Sequence, residues 1–266
     1  MRYAPIAVVA VLAVTALFVL PRSAAQEPGS LPETKAPQAK AMPAPAPAPH
    51  ESWEVQHERQ LHQDWAQLER YREANLKLAP PAAGEQRVVF MGDSITDSWN
   101  IGKFFPGKPY IGRGISGQTT PQMVVRMRQD VIDLKPKAVV ILAGTNDIAG
   151  NTGPETPEQI EGYIKSMAEL AVANHIEVVL CSILPAFDYP WKRGLEPAPK
   201  IVALNAWIRK YAAENGHVFV DYHAAMKDER DGLPAKLSGD GVHPNDAGYA
   251  IMAPLAEAGI AQALGK

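Results

Sequence analysis

The sequence predicts an α/β protein with a three-layer α/β/α architecture, in which helices cover both faces of a doubly wound parallel sheet of five strands. After Gly84, short apolar runs alternate with longer stretches of helical spacing, and this alternation is typical of βαβ units. The run 138–143 is apolar throughout, as expected for a strand that is covered on both faces. We find no repeat of fixed period, which argues against a solenoid or a propeller.

The strands and helices follow one another in order along the chain. Strands are predicted at 87–91, 109–111, 138–143, 177–184 and 217–221. Helices are predicted at 122–134, 157–174, 200–214 and 246–264. Three prolines support these boundaries, since Pro157 suits a first helical turn, Pro136 ends the first helix and Pro254 should bend the last one.

Three segments precede the main domain, which we expect at 85–266. Residues 1–25 contain an arginine, an apolar run and small residues near the end, which are the parts of a signal peptide; the same run approaches the roughly 20 residues of a membrane anchor. Residues 26–50 are rich in Pro and Ala and predict a disordered linker. Residues 51–84 carry apolar side chains at helical spacing from 52 to 78 and predict an N-terminal helix that packs on the main domain.

The first segment and the overall charge limit where the protein works and what it binds. A cleaved signal peptide predicts export to the periplasm or the extracellular space. An uncleaved anchor predicts a protein that faces outward and touches the membrane only through this segment. The 26 Lys and Arg against 29 Asp and Glu give a formal net charge of −3. Because this composition provides no basic surface, nucleic acid is not an expected partner.

Polar and reactive residues follow each predicted strand. Ligands of open parallel sheets bind at the carboxyl ends of the strands. The segments found there are 92–94, 112–117, 144–147, 185–199 and 240–244. Together they contribute a hydroxyl, several glycines, an amide, a carboxylate and an imidazole, which are the groups that acyl transfer by a serine requires.

Ser94 is the expected nucleophile of such a site. A serine hydroxyl is weak until a base takes its proton, and His243 can serve as that base. Asp240 lies three residues before His243 and can orient its ring. The N–H groups of Ser94 and of a glycine, with the Asn146 side chain, can stabilise the oxyanion of the intermediate. Ser94 alone would equally suit a helix cap, so the prediction depends on the combination.

Four segments, in this order, resemble the sequence blocks of the SGNH, or GDSL, hydrolase family. They are Gly92-Asp93-Ser94, Gly117, Gly144-Thr145-Asn146-Asp147 and Asp240-Gly241-Val242-His243-Pro244. The resemblance covers the chain from Arg87 to the C-terminus. Within the family, the chain is most similar to the bacterial branch related to platelet-activating-factor acetylhydrolase subunits.

This resemblance implies a flavodoxin-like strand order, 2-1-3-4-5, and ester hydrolysis that requires no cofactor. It implies Ser94 as the nucleophile, His243 as the base and Asp240 as the residue that orients the base. Gly117 and Asn146 would join Ser94 as oxyanion donors. The implied substrates are small molecules, glycans or lipids that carry short acyl esters, or esters similar to lysophospholipids.

Gly112, Gly114 and Gly117 also fit the dinucleotide-binding pattern G-x-G-x-x-G. That pattern requires an acidic residue about 20 residues later, at the end of the next strand. Asp130 and Asp133 lie at this distance but fall within the predicted helix, so we attribute the glycines to a close approach of the backbone to a substrate oxygen. The histidines lack the spacing for shared ligation, so no metal site is predicted.

Aromatic and basic residues fill the long loop after the fourth predicted strand. Phe187, Tyr189, Trp191 and Arg193 lie there, and loops of this length are usually functional or disordered. We interpret them as a pocket wall that selects the acyl or alcohol group. Because such aromatics also suit stacking on sugars, two alternatives stay open: a carbohydrate O-acetyl esterase acting on xylan or peptidoglycan, and a non-catalytic module that binds acyl sugars.

Overall fold

The strands of the protein form one parallel sheet. The structure is a computed structural model that describes residues 52–265, so the predicted signal peptide or anchor at 1–25 and linker at 26–50 lie outside the described residues. The strands are β1 (Val88–Gly92), β2 (Tyr110–Gly114), β3 (Ala138–Leu142), β4 (Glu177–Cys181) and β5 (Val218–Val220). Their order in the sheet is β2-β1-β3-β4-β5, and every pairing is parallel. The predicted strand order is confirmed.

Helices precede, connect and follow these strands. In chain order they are α1 (Trp53–Gln63), α2 (Arg72–Lys77), α3 (Ser94–Asp97), α4 (Ile101–Phe104), α5 (Thr120–Asp130), α6 (Thr145–Ala149), α7 (Pro157–Ala173), α8 (Pro197–Glu214), α9 (Tyr222–Met226) and α10 (Asp246–Leu264), with a 3-10 helix at Ile132–Leu134. The long helices predicted from the sequence correspond to α5, α7, α8 and α10. Between residues 52 and 265 we find no helix whose length and hydropathy would let it cross a bilayer.

The side chains of the strands point alternately into two hydrophobic layers. On one face, residues such as Val89 and Met91 pack with α5, α7 and α8. On the other face, Val88 and Phe90 pack with α10 and with residues of the segment that follows β1. Every residue of β1 and β3 is buried, because helices cover both faces there. The predicted three-layer architecture is confirmed.

A turn divides the N-terminal helix. The apolar spacing predicts one helix from 52 to 78, but the structure has α1 and α2 with a turn between them. Asp64 ends α1, and its carboxylate accepts hydrogen bonds from the N–H groups of Leu68 at 2.9 Å and Glu69 at 3.0 Å. Such side-chain bonds compete with the backbone bonds of a helix, and Gln67 completes the turn with φ 53°. The prediction of a single helix is therefore wrong at this turn.

Candidate active site

The ends of β1, β2 and β3 lie level with one another at one edge of the sheet. Gly92, the last residue of β1, lies opposite Gly114 of β2 and Leu142 of β3. The loops that carry the predicted site residues therefore begin at a common edge. In the first of them, Asp93 caps α3 by accepting a backbone hydrogen bond of 2.9 Å. This cap fixes Ser94 as the first residue of the helix.

Ser94, His243 and Asp240 form a continuous chain of hydrogen bonds. Ser94 Oγ lies 2.8 Å from His243 Nε2, and His243 Nδ1 lies 2.6 Å from Asp240 Oδ2. The first contact can carry the serine proton to the ring, and the second fixes the orientation and the tautomer of that ring. Ser94 and His243 are 149 residues apart in the sequence, so the fold alone brings the two groups together.

The carboxylate of Asp240 is held in its ionised form. Burial raises its pKa, but hydrogen bonds from the His243 side chain and from the N–H groups of His243 and Val242 outweigh burial and lower the pKa to about 2. Ser238 Oγ donates a further hydrogen bond to Asp240 at 3.0 Å. Asp240 therefore carries a negative charge at neutral pH, and this charge can stabilise a protonated His243.

Gly117 and Asn146 line the same cavity as Ser94 and His243, and this cavity has a volume of about 430 Å³. Gly117 has φ 80°, a conformation that favours glycine. Asn146 is buried, and its Nδ2 donates to the carbonyl of Gln118 at 3.0 Å. That bond uses one of the two amide hydrogens. Because no hydrogen bond between described residues uses the other, it can bind a substrate oxygen.

Three residues that the sequence did not single out also line this cavity, namely Ser98, Ser116 and Asn151. Asn151 Nδ2 lies 3.1 Å from the Gly117 carbonyl oxygen and 3.0 Å from Asn146 Oδ1. It thus donates to both of the segments from which oxyanion donors are predicted. Its only signal in the sequence is its place five residues after Asn146, just beyond the block that ends at Asp147.

A buried arginine holds the loop after β2 against the end of β1. Arg126 of α5 is fully buried. It donates to the side chain of Gln118 at 2.5 Å and to the carbonyl oxygens of Arg113 at 2.8 Å and Gly92 at 2.9 Å. These charge-assisted bonds fix the loop from which Gly117 lines the cavity.

Gly114, at the end of β2, and Gly117, in the loop after it, serve two different purposes. Gly117 lines the catalytic cavity, as expected for a backbone that approaches a substrate. Gly114 packs against α3, where an added Cβ would lie 2.0 Å from the backbone N of Asp97. The expected approach to a substrate is therefore wrong for Gly114, which is small because a helix lies against it.

Of the residues predicted in the substrate loop, Trp191 lines the catalytic cavity. Its ring stacks on Tyr189 with ring centres 5.0 Å apart and lies 6.1 Å from the ring of His243. Tyr189 itself is fully buried, and its hydroxyl lies 2.9 Å from Thr145 Oγ1. Tyr189 therefore packs against the ring of Trp191 and does not itself line the catalytic cavity.

Phe187 and Arg193 lie away from the catalytic cavity. Both line a separate cavity of about 220 Å³ that also reaches Asp240. The ring of Phe187 packs against the Arg230 guanidinium at 4.6 Å. The loop therefore divides its side chains between two cavities instead of forming one continuous wall.

Between residues 52 and 265, no three His, Cys, Asp or Glu side chains are grouped so that they could hold a metal ion.

Known proteins resemble this chain over most of the sheet and the site. The model of the GDSL-like Lipase/Acylhydrolase family matches residues 90–251. A GDSL-like lipase from Bacteroides thetaiotaomicron has a crystal structure that is similar with a TM-score of 0.73 and 48% sequence identity, covering 76% of this chain and 100% of that one.

Two curated relatives are acetylxylan esterases. The protein from Geobacillus stearothermophilus is 26% identical over 204 residues, which are 63% of this chain and 90% of that protein. The protein from Xylanibacter ruminicola is 27% identical over 224 residues, which are 70% of this chain but only 45% of that longer protein.

Proposed function

Because the chain belongs to the GDSL-like lipase/acylhydrolase family and is a carboxylic ester hydrolase, we propose that it is a serine esterase that removes acetyl groups from carbohydrate esters. The observation that carries the proposal is the hydrogen-bonded chain of Ser94, His243 and Asp240 beside Gly117 and Asn146. This arrangement supplies candidates for a nucleophile, a base and oxyanion donors in one cavity, with an orienting acid hydrogen-bonded to the base.

In the first half of the proposed reaction, the acyl group moves to the enzyme. Ser94 Oγ attacks the ester carbonyl carbon while His243 Nε2 takes the hydroxyl proton. The oxyanion accepts hydrogen bonds from the N–H groups of Ser94 and Gly117 and from Asn146 Nδ2. The C–O bond to the alcohol then breaks, and His243 returns its proton to the leaving oxygen.

In the second half, water removes the acyl group. His243 takes a proton from the water as it attacks the acyl carbon, and the same donors hold the second oxyanion. The bond to Ser94 Oγ breaks, and His243 protonates that oxygen. The products are the free acid and the enzyme in its starting state, so the cycle needs no further reactant.

The lining of the catalytic cavity supports a short acyl group and a polar alcohol. Its residues are Ser94, Ser98, Ser116, Gly117, Asn146, Asn151, Trp191 and His243. No aliphatic side chain of the described residues lines it, so its apolar surface comes from the Trp191 ring and the carbons of polar side chains and forms no aliphatic channel for a long acyl chain. Trp191 is 43% exposed beside the base, and an exposed indole offers a flat face to a sugar ring.

This lining also supports one of the substrate classes that the sequence leaves open. Lysophospholipid-like esters need apolar surface for a chain, whereas acetylated sugars need polar groups and an aromatic face. The two acetylxylan esterases among the relatives support the second choice.

A panel of esters tests the substrate proposal. We expect acetylated xylooligosaccharides and 4-nitrophenyl acetate to give a higher kcat/KM than 4-nitrophenyl octanoate or lysophosphatidylcholine. A preference for the octanoate or for the lysophospholipid would overturn the carbohydrate proposal while leaving the esterase chemistry intact. Ser94→Ala serves as the control for background hydrolysis.

The pH dependence of the rate tests the role of His243. The ring must be neutral to take the serine proton, so kcat/KM for 4-nitrophenyl acetate should rise with pH on the acid side. Asp240, with its pKa of about 2, stays ionised in this range and does not contribute to the rise. A rate that does not change between acid and neutral pH would contradict the assignment.

We further propose that residues 1–25 act as a signal peptide and that the esterase works outside the cytoplasm. Sequencing the N-terminus of the protein recovered from an exporting host tests this step. We expect the mature chain to begin near Gln26, whereas a chain that keeps residues 1–25 in the membrane fraction would favour the anchor.

A further inference from the structure

A second cavity lies beside the catalytic cavity and shares a wall with it. Its volume is about 250 Å³, and its lining includes Gln56, Gln60, Gln67, Arg70, Asp97 and Ser116. Ser116 lines both cavities. Most of the polar lining comes from α1 and the turn after it, which lie before the residues that the family model matches.

Asp97 connects this cavity to the nucleophile. It lies three residues after Ser94 on α3, and residues three apart lie on the same side of a helix. Its Oδ2 accepts hydrogen bonds from Ser116 Oγ at 2.8 Å and from Ser116 N at 3.3 Å. Ser116 in turn precedes Gly117, which lines the catalytic cavity. A ligand in the second cavity would therefore lie beside the loop from which Gly117 lines the catalytic cavity.

The charges of the second cavity cancel. Arg70 Nη2 lies 3.2 Å from Asp97 Oδ1, and no other charged side chain among the described residues lines this cavity. A pair so close presents little net charge to a ligand. The cavity therefore does not favour a phosphate, a carboxylate or an ammonium group over a neutral one.

The remaining groups suit hydroxyl groups. Glutamine amides donate and accept hydrogen bonds, and the Ser116 hydroxyl, whose proton goes to Asp97, can still accept one. A sugar hydroxyl needs both kinds of partner. Among the described residues, Ile115 is the one apolar side chain of the lining, and it is only 2% exposed, so these residues offer an acyl chain almost no apolar side chain. A volume of about 250 Å³ lies below the roughly 300–1,000 Å³ of sites for drug-sized ligands, which suits one small unit of a longer molecule.

From these observations, and resting on the proposed carbohydrate esterase function, we propose that the second cavity is a subsite for a neutral sugar residue. The acylated residue occupies the catalytic cavity, and a neighbouring residue of the same oligosaccharide binds the glutamine amides and the serine hydroxyl of the second. The N-terminal segment thus contributes to substrate selection.

Gln67→Gly removes one of these amides without straining the backbone. Gln67 has φ 53°, a conformation that glycine adopts freely. Loss of one or two neutral hydrogen bonds should lower the ratio of kcat/KM for acetylated xylotetraose to kcat/KM for 4-nitrophenyl acetate by about 3- to 10-fold. Gln63→Ala, which removes an exposed glutamine of α1 outside the cavity lining, is the matched control and should keep the wild-type ratio.

Binding of unacetylated xylotetraose gives a second readout that does not depend on turnover. In titrations followed by NMR, the wild-type protein should bind the tetrasaccharide about 3- to 10-fold more tightly than Gln67→Gly. Equal affinities, or equal kinetic ratios for Gln67→Gly and Gln63→Ala, would overturn the subsite. If the wild-type protein cleaves aryl acetates but neither cleaves nor binds xylooligosaccharides, both the subsite and the carbohydrate proposal fail. If it cleaves acetylated xylotetraose but Gln67→Gly behaves like wild type, only the subsite fails.

Discussion

Asn151 and Asn146 show how single side chains set the geometry of the candidate site. In the proposed mechanism, one amide hydrogen of Asn146 is aimed at the substrate, so the amide oxygen faces the other way. Asn151 Nδ2 donates to that oxygen at 3.0 Å and to the Gly117 carbonyl at 3.1 Å. A wrongly turned Asn146 would lose this bond, and the donor would then be misplaced. Asn151 is therefore expected to be a positioning residue for the oxyanion donors.

Asn151→Asp tests this role, because the change keeps the shape of the side chain and removes its donor. Misplacement of one oxyanion donor should lower kcat for 4-nitrophenyl acetate by about 10- to 100-fold with KM changed by less than about threefold. Steady-state kinetics would show that kcat falls while KM hardly changes, and a thermal melt would show that the fold is kept. A kcat within twofold of wild type would show that Asn151 does not position the donors.

At the scale of elements, α5 connects two strand ends through one buried charge. Arg126 donates to carbonyl oxygens at the ends of β1 and β2 and pairs with Asp130 of the same helix at 3.2 Å. Both side chains are fully buried. Burying two charges costs free energy that only complete pairing offsets. The position of the loop that carries Gly117 therefore depends on the ion pair of Arg126 and Asp130 within α5.

Arg126→Met should destabilise the fold by about 3–5 kcal/mol, because it leaves Asp130 as a buried charge without its cation. Urea denaturation of the purified protein would measure the change. The double variant Arg126→Met/Asp130→Leu should recover part of the loss, since it removes the unpaired charge as well. A single variant with wild-type stability would mean that the pair contributes nothing to the fold.

Helix α6, like α5, contains a buried acidic side chain. Asp147 of α6 is buried, and its Oδ1 accepts a hydrogen bond of 2.8 Å from the N–H of Thr120. Burial raises the pKa of Asp147, and the nearby Glu155 carboxyl raises it further. Two carboxylates have only acceptors, so the pair can form a hydrogen bond only while one of them carries a proton.

This raised pKa predicts how stability depends on pH. The folded Asp147 keeps a proton that an unfolded aspartate, with a pKa of about 3.9, has lost. Because the folded state then binds more protons, its free energy of unfolding falls as pH rises above about 4 toward the folded pKa. Asp147→Asn cannot ionise, so it should gain stability relative to wild type between about pH 5 and pH 8. Urea midpoints with the same pH slope for both proteins would contradict the shift.

At the scale of the whole molecule, side chains of the domain hold the N-terminal segment in place. Gln118 Nε2 donates to the carbonyl of Ala66 at 2.8 Å, and Gln129 Nε2 donates to that of Leu68 at 2.7 Å. Gln118 also accepts a hydrogen bond from Arg126. The N-terminal segment is therefore linked to the same hydrogen-bond network that holds the loop carrying Gly117.

Asn75 joins this segment to the domain through several hydrogen bonds. Its Oδ1 accepts from Arg113 Nε at 2.9 Å and Nη2 at 2.7 Å, and its Nδ2 donates to Asp130 at 2.7 Å. Hydrogen bonds to charged groups are worth roughly 1.5–3 kcal/mol each, so Asn75→Ala should destabilise the protein by about 2–3 kcal/mol. A change below about 0.5 kcal/mol in urea denaturation would show that the segment is only loosely attached.

The parts that the sequence predicts well are those with local causes. Buried strands require apolar runs, and the resemblance supplies their order. The end of β4 is missed, because Asn205 of α8 bonds to both the N–H and the carbonyl of Ile183 and so takes this residue out of the sheet. The turn that divides the N-terminal helix is missed because a side chain, Asp64, competes with the backbone.

The candidate site divides in the same way. The four sequence blocks predict Ser94 and His243 as site residues, and the fold brings these two side chains into contact. Which loop residue lines the cavity depends on a distant partner, since Tyr189 turns inward to Thr145 and leaves Trp191 at the surface. No spacing within the loop contains that information.

Covalent labelling of Ser94 tests the central claim most directly. An organophosphate probe reacts much faster with a serine whose hydroxyl is activated beside oxyanion donors than with other side chains. We expect one probe per molecule, located at Ser94 by mass spectrometry, with loss of esterase activity in proportion to labelling; Ser94→Ala should take up no probe and lose about 10³- to 10⁶-fold in kcat. Labelling at another residue, or full esterase activity in Ser94→Ala, would contradict the account.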